Sequence, residues 1–539
     1  MNDLLGLLTK VGVLSALAVV LGVPLAFRPA GSREPEGAAR VIIITPHNDQ
    51  IRHEFARGFD RWHRERFAQP AIVDWRQPGG TTEIRRLLVS QYTEAIRTGR
   101  ITAEGALRDG AEPMPFDLLM GGGTFEHGEV KRGVKATPPG EDKDITMPIS
   151  ISMGYTTQQL DEWYGTRPEQ AHKVGAMPLY DPGDEKRGDP GQFWLGKAVS
   201  GFGIIFNRDV LRQLELPEPT EWEDMCDPKL RGWIGLADPR QSGSVATTYE
   251  SILNVKGWDE GWRILRRMSA NARYFTNSAL KVPLDVAHGQ AAMGVAIDFY
   301  GRYQSQALMK PGETPETSRV GYVDPPGVVL IDPDPISMLR GGPNPQIARR
   351  FVEYVLSEEG QAVWNFPVRA GEDSMGPEKF ELRRMPIRRV MFEKHWDSLI
   401  DRVDPYKLAT DAPNKGWRSA IGPMMGAFAI DVHEDQVAAW EAIQRARSGG
   451  VSEELLANAE GLFDAFPAHT IPAQPAAEGK EAVPERTLAF NAENYRAIRE
   501  DWRAAEKDGR MSRVRMGYTA FFRENYRDIV RTLRAGGGS

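Results

Sequence analysis

Cysteine is almost absent from this chain: its 539 residues include a single one, Cys226. A lone cysteine excludes an intrachain disulfide and a zinc site built from several cysteines. A surplus of positive charge is missing too, since the formal net charge is −7. The chain therefore lacks the basic footprint of a nucleic-acid-binding protein, and no nucleic-acid partner is expected.

Long apolar runs are also scarce. The exception begins at Val11 and ends at Phe27, between Lys10 and Arg28. This stretch is at the lower limit for crossing a bilayer and slightly long for the apolar region of a signal peptide. Residues 1–39 are therefore predicted to be a signal peptide or a membrane anchor with its linker. A buried N-terminal helix is the remaining alternative, whereas the first two interpretations both imply a periplasmic or extracellular protein.

The common catalytic motifs are missing as well. The segment "AVSGFG" lacks the first glycine of G-x-S-x-G, and "HEFAR" has an arginine where H-E-x-x-H needs its second histidine. No phosphate-loop motif occurs, and "GFGIIF" has only two of the dinucleotide-binding glycines. A hydrolase of another kind stays open, but no enzyme activity, cofactor or metal site is predicted.

What the chain does have is the alternation of strand and helix patterns. Hydrophobic residues make up 41% and charged residues 26% of the sequence, as in soluble globular proteins. Strands followed by turns and amphipathic helices predict parallel βα units and an α/β sheet. The apolar runs predicted to form strands are residues 41–45, 71–75, 116–120, 200–207, 232–239, 291–298 and 327–331.

From about residue 371 the pattern becomes helical. Residues 467–486 are rich in proline, alanine and charge, so they are predicted to be a flexible linker that does not pack. A final helix is predicted to dock on the rest of the chain through one apolar stripe. Its arginines indicate a solvated face, with contact to anionic lipid as the alternative. The stripe consists of Tyr518, Phe522, Tyr526, Val530 and Leu533.

Loops with small residues follow several of the predicted strands. In open α/β sheets, ligands bind beyond the carboxyl ends of the strands, where the next helix offers unpaired N–H groups and its positive dipole end. Such a cleft favours an anionic or zwitterionic solute. Turn formation and helix capping explain the same residues without any ligand. The candidate contacts in these loops are Thr81, Thr82, Gly122 and Gly123.

Six segments, taken in order, resemble an extracellular solute-binding protein of an ABC-type importer. The class is the type II periplasmic binding proteins that include ferric-iron, polyamine and 2-aminoethylphosphonate binders. The segments fall between about residues 41 and 371 and read "VIIITPH", "FDLLMGGG", "FWLGKAVSGFGIIFNRDVLRQLELPEPTEWEDMCDPKLRGWIGLADPRQSGS", "GWDEGW", "GQAAMGVAID" and "NPQIARRFVEYVLSEEGQAVW".

The resemblance implies a two-lobed α/β fold whose hinge strands let the lobes clamp a small solute for delivery to ABC permease subunits in the membrane. It also implies a division of the chain. The first lobe would comprise residues 40–199 and 330–372, and the second lobe residues 200–329. The remaining parts would be a helical extension (373–466), the flexible linker (467–486) and C-terminal helices (487–539).

Individual site residues follow from the same resemblance. His47 matches the histidine after the first strand of iron binders. Ser242, Gly243 and Ser244 match an anion-holding loop at a helix start. The alternatives are a hydrogen-bonded loop histidine at position 47 and simple helix capping at positions 242–244.

A second group of site residues ends a predicted strand. Phe299 and Tyr300 occupy the place of paired tyrosines, and the strand-end side chains of Asp298 and Tyr300 are expected to face the cleft. Asp298 would offer its charge to a solute amine, although Tyr300 is equally explained as a wall or core aromatic. Ferric iron prefers hard anionic oxygens. Phe299 in place of one phenol, and glycines 121–123 in place of an acidic ligand, therefore argue against iron.

The resemblance leaves two alternatives to transport. A protein with this fold could serve as an anchored sensor or scaffold that uses its C-terminal extension to hold a partner. A hydrolase is the third hypothesis.

Overall fold

The computed structural model describes residues 35–165, 172–371, 374–473 and 484–536. The apolar segment from Val11 to Phe27 lies outside these residues, so the signal-peptide or anchor prediction stays a prediction. Within the described ranges, none of the helices combines the length and the apolar character needed to cross a membrane.

Strands and helices alternate through the first two thirds of the chain, and helices dominate the last third. The strands are β1 Ala39–Ile44, β2 Ala71–Arg76, β3 Leu118–Met120, β4 Val134–Ala136, β5 Ile145–Met147, β6 Lys173–Val174, β7 Met177–Pro178, β8 Leu195–Ser200, β9 Phe202–Asn207, β10 Ile234–Ala237, β11 Ala272–Thr276, β12 Met293–Ile297, β13 Val320–Val323, β14 Asp332–Met338, β15 Met385–Pro386, β16 Ala468–Ile471 and β17 Arg486–Ala489. The α-helices are α1 Asp49–Phe67, α2 Thr81–Arg97, α3 Thr124–Arg132, α4 Thr157–Tyr164, α5 Arg208–Gln213, α6 Gly243–Lys256, α7 Trp258–Ala270, α8 Lys281–Ala287, α9 Asp298–Ala307, α10 Pro345–Val355, α11 Glu358–Asn365, α12 Arg389–Glu393, α13 Pro405–Leu408, α14 Arg418–Met425, α15 His433–Gly449, α16 Glu453–Asp464, α17 Tyr495–Lys507 and α18 Met511–Gly536.

Two mixed sheets organise the molecule. The first has six strands in the order β15-β8-β14-β3-β1-β2, and the second has five in the order β11-β10-β12-β9-β13. The βα units predicted from the sequence give the parallel pairs, such as β1 with β2 and β10 with β11. The interior strands β14 and β9 run antiparallel to both of their neighbours. The α/β class is confirmed, with mixed rather than purely parallel sheets.

We call the part built around the six-stranded sheet the first lobe and the part built around the five-stranded sheet the second lobe. The chain passes from the first lobe to the second at Gly201, between β8 and β9, and returns through residues 324–331. It crosses a third time after Thr410, whose N–H donates to the Val329 carbonyl at 3.0 Å.

One strand prediction is wrong. Residues 327–331 are not a strand but the buried return segment between the lobes, and the strand follows them as β14. Its sequence, DPDPISM, contains two prolines, which normally exclude a central strand because proline donates no ladder hydrogen bond. A register shift between Asp334 and Pro335 accommodates them in the middle of the sheet.

Residues 374–410 complete the first lobe. Their strand β15 pairs with β8 at the sheet edge, and Leu382, Met385 and Ile387 join the apolar core of the first lobe. The buried carboxylate of Glu54 in α1 accepts hydrogen bonds from the backbone N–H groups of residues 378–380. The first lobe therefore extends beyond residue 372, where the sequence resemblance ended it.

Helices α14–α18 cover the second lobe and share one continuous apolar core with it. The predicted stripe on the last helix is confirmed as a packing face, since Tyr518, Phe522, Tyr526 and Leu533 are buried there. We call residues 418–536 the C-terminal layer.

The linker prediction for residues 467–486 fails at both ends of the segment. Strand β16 pairs with β17, and His469 is buried against Asp501 of α17. Residues 474–483, the middle of the predicted linker, lie outside the described residues. A proline- and alanine-rich composition therefore did not prevent the flanks from pairing, because each flank supplies a short alternating strand to the other.

Candidate functional site

A cleft of about 510 Å³ lies between the two lobes. Its first-lobe wall carries His47, the loop at residues 79–81 and the glycines 122 and 123; its second-lobe wall carries residues 241–244. Predicted site residues that lie far apart in the sequence are thus brought together. Those that line the cleft are His47, Thr81, Gly122, Gly123, Ser242, Gly243, Ser244 and Tyr300.

Helix N-termini point at the cleft from both lobes. Helix α2 begins at Thr81 after Gly80, and no side-chain hydrogen bond caps it. Helix α3 begins after Gly123, whose N–H donates to Glu126 at 3.2 Å. From the second lobe, α6 begins after Ser242, and Val245 N–H donates to the Ser242 hydroxyl at 3.4 Å. Unpaired N–H groups at such helix starts favour an anion.

The lobes approach each other at Gly243. A β-carbon at this position would lie 2.7 Å from Glu126 Oε1 and 3.3 Å from the Thr81 hydroxyl, both in the first lobe. A larger residue would therefore fit here only if the Glu126 side chain moved. Glycine is required at position 121, where φ is +96° and a β-carbon would lie 2.4 Å from the His47 ring.

A buried charge cluster forms the floor of the cleft. The carboxylate of Asp334 lies 2.7 Å from Lys197 Nζ, 2.5 Å from Arg384 Nη1 and 3.1 Å from His47 Nε2. Burial alone would raise the pKa of Asp334, but the attraction of Arg384 and Lys197 outweighs it and holds the pKa well below its usual range. Asp334 is therefore an anion inside the protein, compensated by two cations.

Burial has the opposite effect on the bases of this cluster. It lowers the pKa of His47 to about 4, with the charge of Lys197 acting in the same direction. His47 is accordingly neutral at physiological pH, with Nδ1 2.9 Å from the Thr45 hydroxyl. Burial also lowers the pKa of Lys197 to about 7, although the attraction of Asp334 opposes the shift. His47 thus combines both alternatives drawn from the sequence: a hydrogen-bonded loop histidine that also lines the cleft.

Carboxyl groups also line the walls. Asp332 accepts a hydrogen bond from the Thr124 hydroxyl at 2.7 Å, and burial raises its pKa to about 7, with Glu126 contributing in the same direction. Glu83 and Glu126 line the same space. The cleft therefore offers helix N-termini for an anionic group and carboxyl oxygens for hydroxyl or ammonium groups.

Two predicted positions do not belong to the cleft wall. Asp298 was expected to offer its charge to a solute, but it is fully buried and its carboxylate lies 3.2 Å from Arg302 Nη1. Strand β12 ends at Ile297, so Asp298 is the first residue of α9 and turns toward Arg302 one helical turn later. Thr82 lies in the first turn of α2 but outside the cleft lining.

Phe299 and Tyr300 form an aromatic wall, with ring centroids 4.2 Å apart. Burial raises the pKa of Tyr300 to about 12, so its phenol stays protonated. In the part of the chain that the structure describes, no group of three or more His, Cys, Asp or Glu side chains is arranged to hold a metal ion.

Sequence reasoning missed several groups of the floor and walls. Arg384 lies beyond residue 371, where the resemblance stops, yet its guanidinium stacks 4.6 Å over the Phe299 ring and pairs with Asp334. Asp332 and Asp334 lie in a D-P-D-P segment that suggests a turn. A signal existed only for Arg384, as a cluster of arginines at residues 383–389 interleaved with apolar residues.

Comparisons with known proteins identify similar sequences for part of the chain. Residues 168–372 match the family described as bacterial extracellular solute-binding protein. The phosphoglycerate transport regulatory protein PgtC of Salmonella typhimurium is 30% identical over 166 residues, which are 31% of this chain and 39% of the relative. An uncharacterized protein of Haemophilus influenzae is 26% identical over 220 residues, 38% of this chain and 60% of the relative. The match thus spans less than two thirds of either relative.

Solved structures of periplasmic binding proteins are also similar. AfuA from Actinobacillus pleuropneumoniae, with exogenous fructose-6-phosphate bound, has a TM-score of 0.46 and 16% identity, covering 73% of this chain and 99% of that protein. Iron-bound HitA from Pseudomonas aeruginosa has a TM-score of 0.41 and 16% identity, covering 71% of this chain and 99% of that protein. Residues 168–372 are thus similar to the bacterial extracellular solute-binding proteins, the kind of protein that the sequence resemblance indicated.

Proposed function

We propose that this protein is the extracytoplasmic solute-binding component of an ABC-type importer, in the periplasm or outside the cell. The two lobes act as the halves of a type II periplasmic binding protein. Gly201 and residues 324–331 serve as the hinge, and closure presents the loaded protein to permease subunits in the membrane. Residues 11–27 supply the export signal or the membrane tether.

The observation that carries this proposal is the convergence of helix N-termini from both lobes on one cleft. Helices α2 and α3 contribute from the first lobe and α6 from the second. An anionic group between them receives N–H donors from both halves, so its binding free energy favours the closed arrangement. The contact residues proposed are Thr81, Gly123, Ser242, Gly243 and Tyr300.

The carboxyl groups narrow the class of solute. A simple dianion would meet Glu83, Glu126 and Asp332 at close range, which is electrostatically unfavourable. A solute with an anionic group at one end and hydroxyl or ammonium groups at the other satisfies both sets of partners. The solute is therefore a zwitterion or a hydroxylated anion. Because the relative PgtC is named a phosphoglycerate transport regulatory protein, phosphoglycerate is the first compound to test.

Isothermal titration calorimetry with 3-phosphoglycerate, 2-aminoethylphosphonate, putrescine and ferric citrate tests the proposal. Calorimetry gives the Kd of each solute. In a denaturation experiment, a solute present at about 100 times its Kd should raise the free energy of unfolding by about 2.7 kcal/mol, because it binds only the folded state. Binding of putrescine or ferric citrate with no binding of either anion would contradict it.

A matched pair of serine caps tests the site. Ser242→Ala removes the cap of α6 in the cleft, and Ser452→Ala removes a similar cap of α16 in the C-terminal layer, where Leu455 N–H donates to the hydroxyl at 3.3 Å. Both variants should lose about 1 kcal/mol of folding stability. Only Ser242→Ala should weaken solute binding; equal affinities in the two variants would show that the solute lies elsewhere.

A regulatory role is the second candidate, because the relative PgtC is named a transport regulatory protein. A binding protein that reports on solute, instead of delivering it, would use the same cleft. Deleting the gene separates the two roles. Loss of uptake with unchanged transcription of transport genes indicates delivery, whereas loss of solute-induced transcription indicates sensing.

A further inference from the structure

A second, smaller chamber opens beside the cleft. It has a volume of about 190 Å³ and shares Leu280, Phe299 and Tyr300 with the lining of the cleft. The volume corresponds to about six water molecules in the liquid. The chamber and the cleft therefore adjoin at these three side chains.

The lining of the chamber differs in chemistry from the cleft. It contains no charged residue; Ile51 and Leu382 contribute from the first lobe, and Leu284 and Tyr303 from the second. The polar exceptions are Asn48, Gln50 and Gln304. The cleft, by contrast, is lined by four carboxyl groups and Arg384. The two adjoining spaces thus differ in chemistry: the cleft is polar and the chamber is apolar.

The apolar lining is unusually exposed. Leu280, Leu284 and Tyr303 have exposed fractions of 46%, 43% and 38%. Single exposed apolar side chains are common on protein surfaces, but several that meet in one concave space indicate a binding site.

The helix that carries two of these residues explains why they face the chamber. In α8, Val282 and Val286 are one turn apart and are buried in the core of the second lobe. Leu280 and Leu284, also one turn apart, lie on another face of the same helical segment. The core requires only the valine face. The leucine face is therefore available to an apolar ligand.

We infer that the solute is a small organic anion with an apolar chain or ring, whose anionic group lies at the helix N-termini of the cleft and whose apolar part fills the adjoining chamber. This inference rests on the proposed function, because it places one end of the ligand in the cleft and the other end in the adjoining chamber. A solute of this kind bridges the lobes twice: through hydrogen bonds in the cleft and through apolar contact among Ile51, Leu284 and Tyr303.

A series of 1-aminoalkylphosphonates, from aminomethyl to 1-aminohexyl, measures the two ends separately by calorimetry on the full chain; the amine meets the carboxyl groups of the cleft. The phosphonate probes the cleft, and each added methylene probes the chamber. Burying one methylene should tighten binding about fourfold. We expect the affinity to rise by this factor with each carbon until the chamber is full, and then to level off.

Two variants locate the effect. Leu284→Asn places a polar group in the chamber and should flatten the dependence of the affinity on chain length. Val89→Asn is the matched control: Val89 is 40% exposed on α2 and does not line the chamber. It should keep the full fourfold step.

The outcomes separate this inference from the proposed function. If no phosphonate binds, the anion site itself is refuted and the inference falls with it. If aminomethylphosphonate binds and longer chains bind no better, the anion site stands and the chamber inference is overturned, leaving the apolar surface for a protein partner such as a permease. A fourfold step that persists in Leu284→Asn would also overturn it.

Discussion

The two lobes complete their cores in different ways. The first lobe is built from residues on both sides of the second lobe in sequence and is closed by the short segment 374–410. The second lobe shares its core with the whole C-terminal layer: the Trp258 ring alone lies within about 5.5 Å of the rings of Trp417, Phe490 and Tyr495. The C-terminal helices are therefore part of the second lobe and not an appended domain.

The lobes also differ in what they bury. The first lobe places the ionised groups of Asp334, Lys197 and Arg384 beneath the cleft. The second lobe buries aromatic rings, with Arg266 enclosed by the rings of Phe428, Phe466 and Phe522. Sensitivity to packing should thus be greatest in the second lobe, whereas sensitivity to pH should arise in both lobes, since burial also raises the pKa of Asp298 in the second lobe to about 7.

The largest effect is expected from removing the C-terminal layer. A chain that ends at Asp411 would expose the apolar faces of α6 and α7, which the layer buries. We expect the second lobe to lose its cooperative fold, seen as loss of its transition in urea unfolding. A chain that ends at Gly536 keeps all of α18 and is the control. A truncated chain with a stable second lobe would show that the layer is dispensable.

Next in size is a single cavity in the shared core. Phe522 is fully buried between Phe428, Phe466 and Tyr526. Phe522→Ala should lower the free energy of unfolding by about 3–5 kcal/mol. Phe521 is its neighbour but is only partly buried, so Phe521→Ala should cost much less. Equal losses measured by chemical denaturation would contradict a shared core at α18.

A smaller effect, dependent on pH, is expected at Asp332. Its folded-state pKa of about 7 is above the ordinary value, so the folded protein retains a proton that the unfolded chain releases. The stability contributed by this proton is fully present below about pH 4 and is lost as the pH rises through about 7. The asparagine side chain of Asp332→Asn stays neutral at every pH in this range. The variant should gain stability relative to the wild type between about pH 5 and pH 8, by at most about 1.4 kcal/mol per pH unit.

Asp334→Asn is the contrasting variant for the same denaturation experiment. Because the pKa of Asp334 is held well below its usual range, its carboxylate is ionised at both pH values. The substitution leaves Lys197 and Arg384 without their counter-ion. Because burial lowers the pKa of Lys197 to about 7, this lysine is charged at about pH 5 and largely neutral at about pH 8, so the cost should fall as the pH rises. A cost of Asp334→Asn that rises with pH, or a pH-independent effect of Asp332→Asn, would contradict the assignment of the two carboxyl groups.

The smallest effects are expected where segment 374–410 attaches to α1. Arg57 pairs with Glu378 at 3.0 Å but its side chain is 58% exposed, so Arg57→Ala should cost less than about 1 kcal/mol. Glu54→Gln, one turn earlier, weakens three buried backbone hydrogen bonds and should cost about 1–3 kcal/mol. Thermal unfolding that ranks the pair the other way would show that surface charge attaches this segment.

The sequence predicted the elements whose pattern is local. The stripe on α18 was predicted correctly, because helical spacing is a property of neighbouring residues. Strand β14 was not read, because its two prolines are tolerated only through a register shift that depends on β8.

The candidate site divides in the same way. Helix starts such as Thr81 and Ser242 could be found from turn and cap residues. The arginine cluster at residues 383–389 marks Arg384 in the sequence, but only the pairing of β15 with β8 shows that this residue lies at the cleft. Asp298 was misplaced since a shift of one residue at the end of β12 decides whether a side chain meets the solvent or a neighbouring arginine.

The last helix has a mechanical consequence. Its 26 residues form a rod about 39 Å long that is fused to the second lobe. If the lobes move about the crossings at Gly201 and residues 324–331, this helix moves with the second lobe and its position reports the orientation of that lobe. A spin label at Met516, which is 72% exposed, paired with one at Val89 on the first lobe, would then read the opening angle as a distance, without disturbing the space that holds the solute.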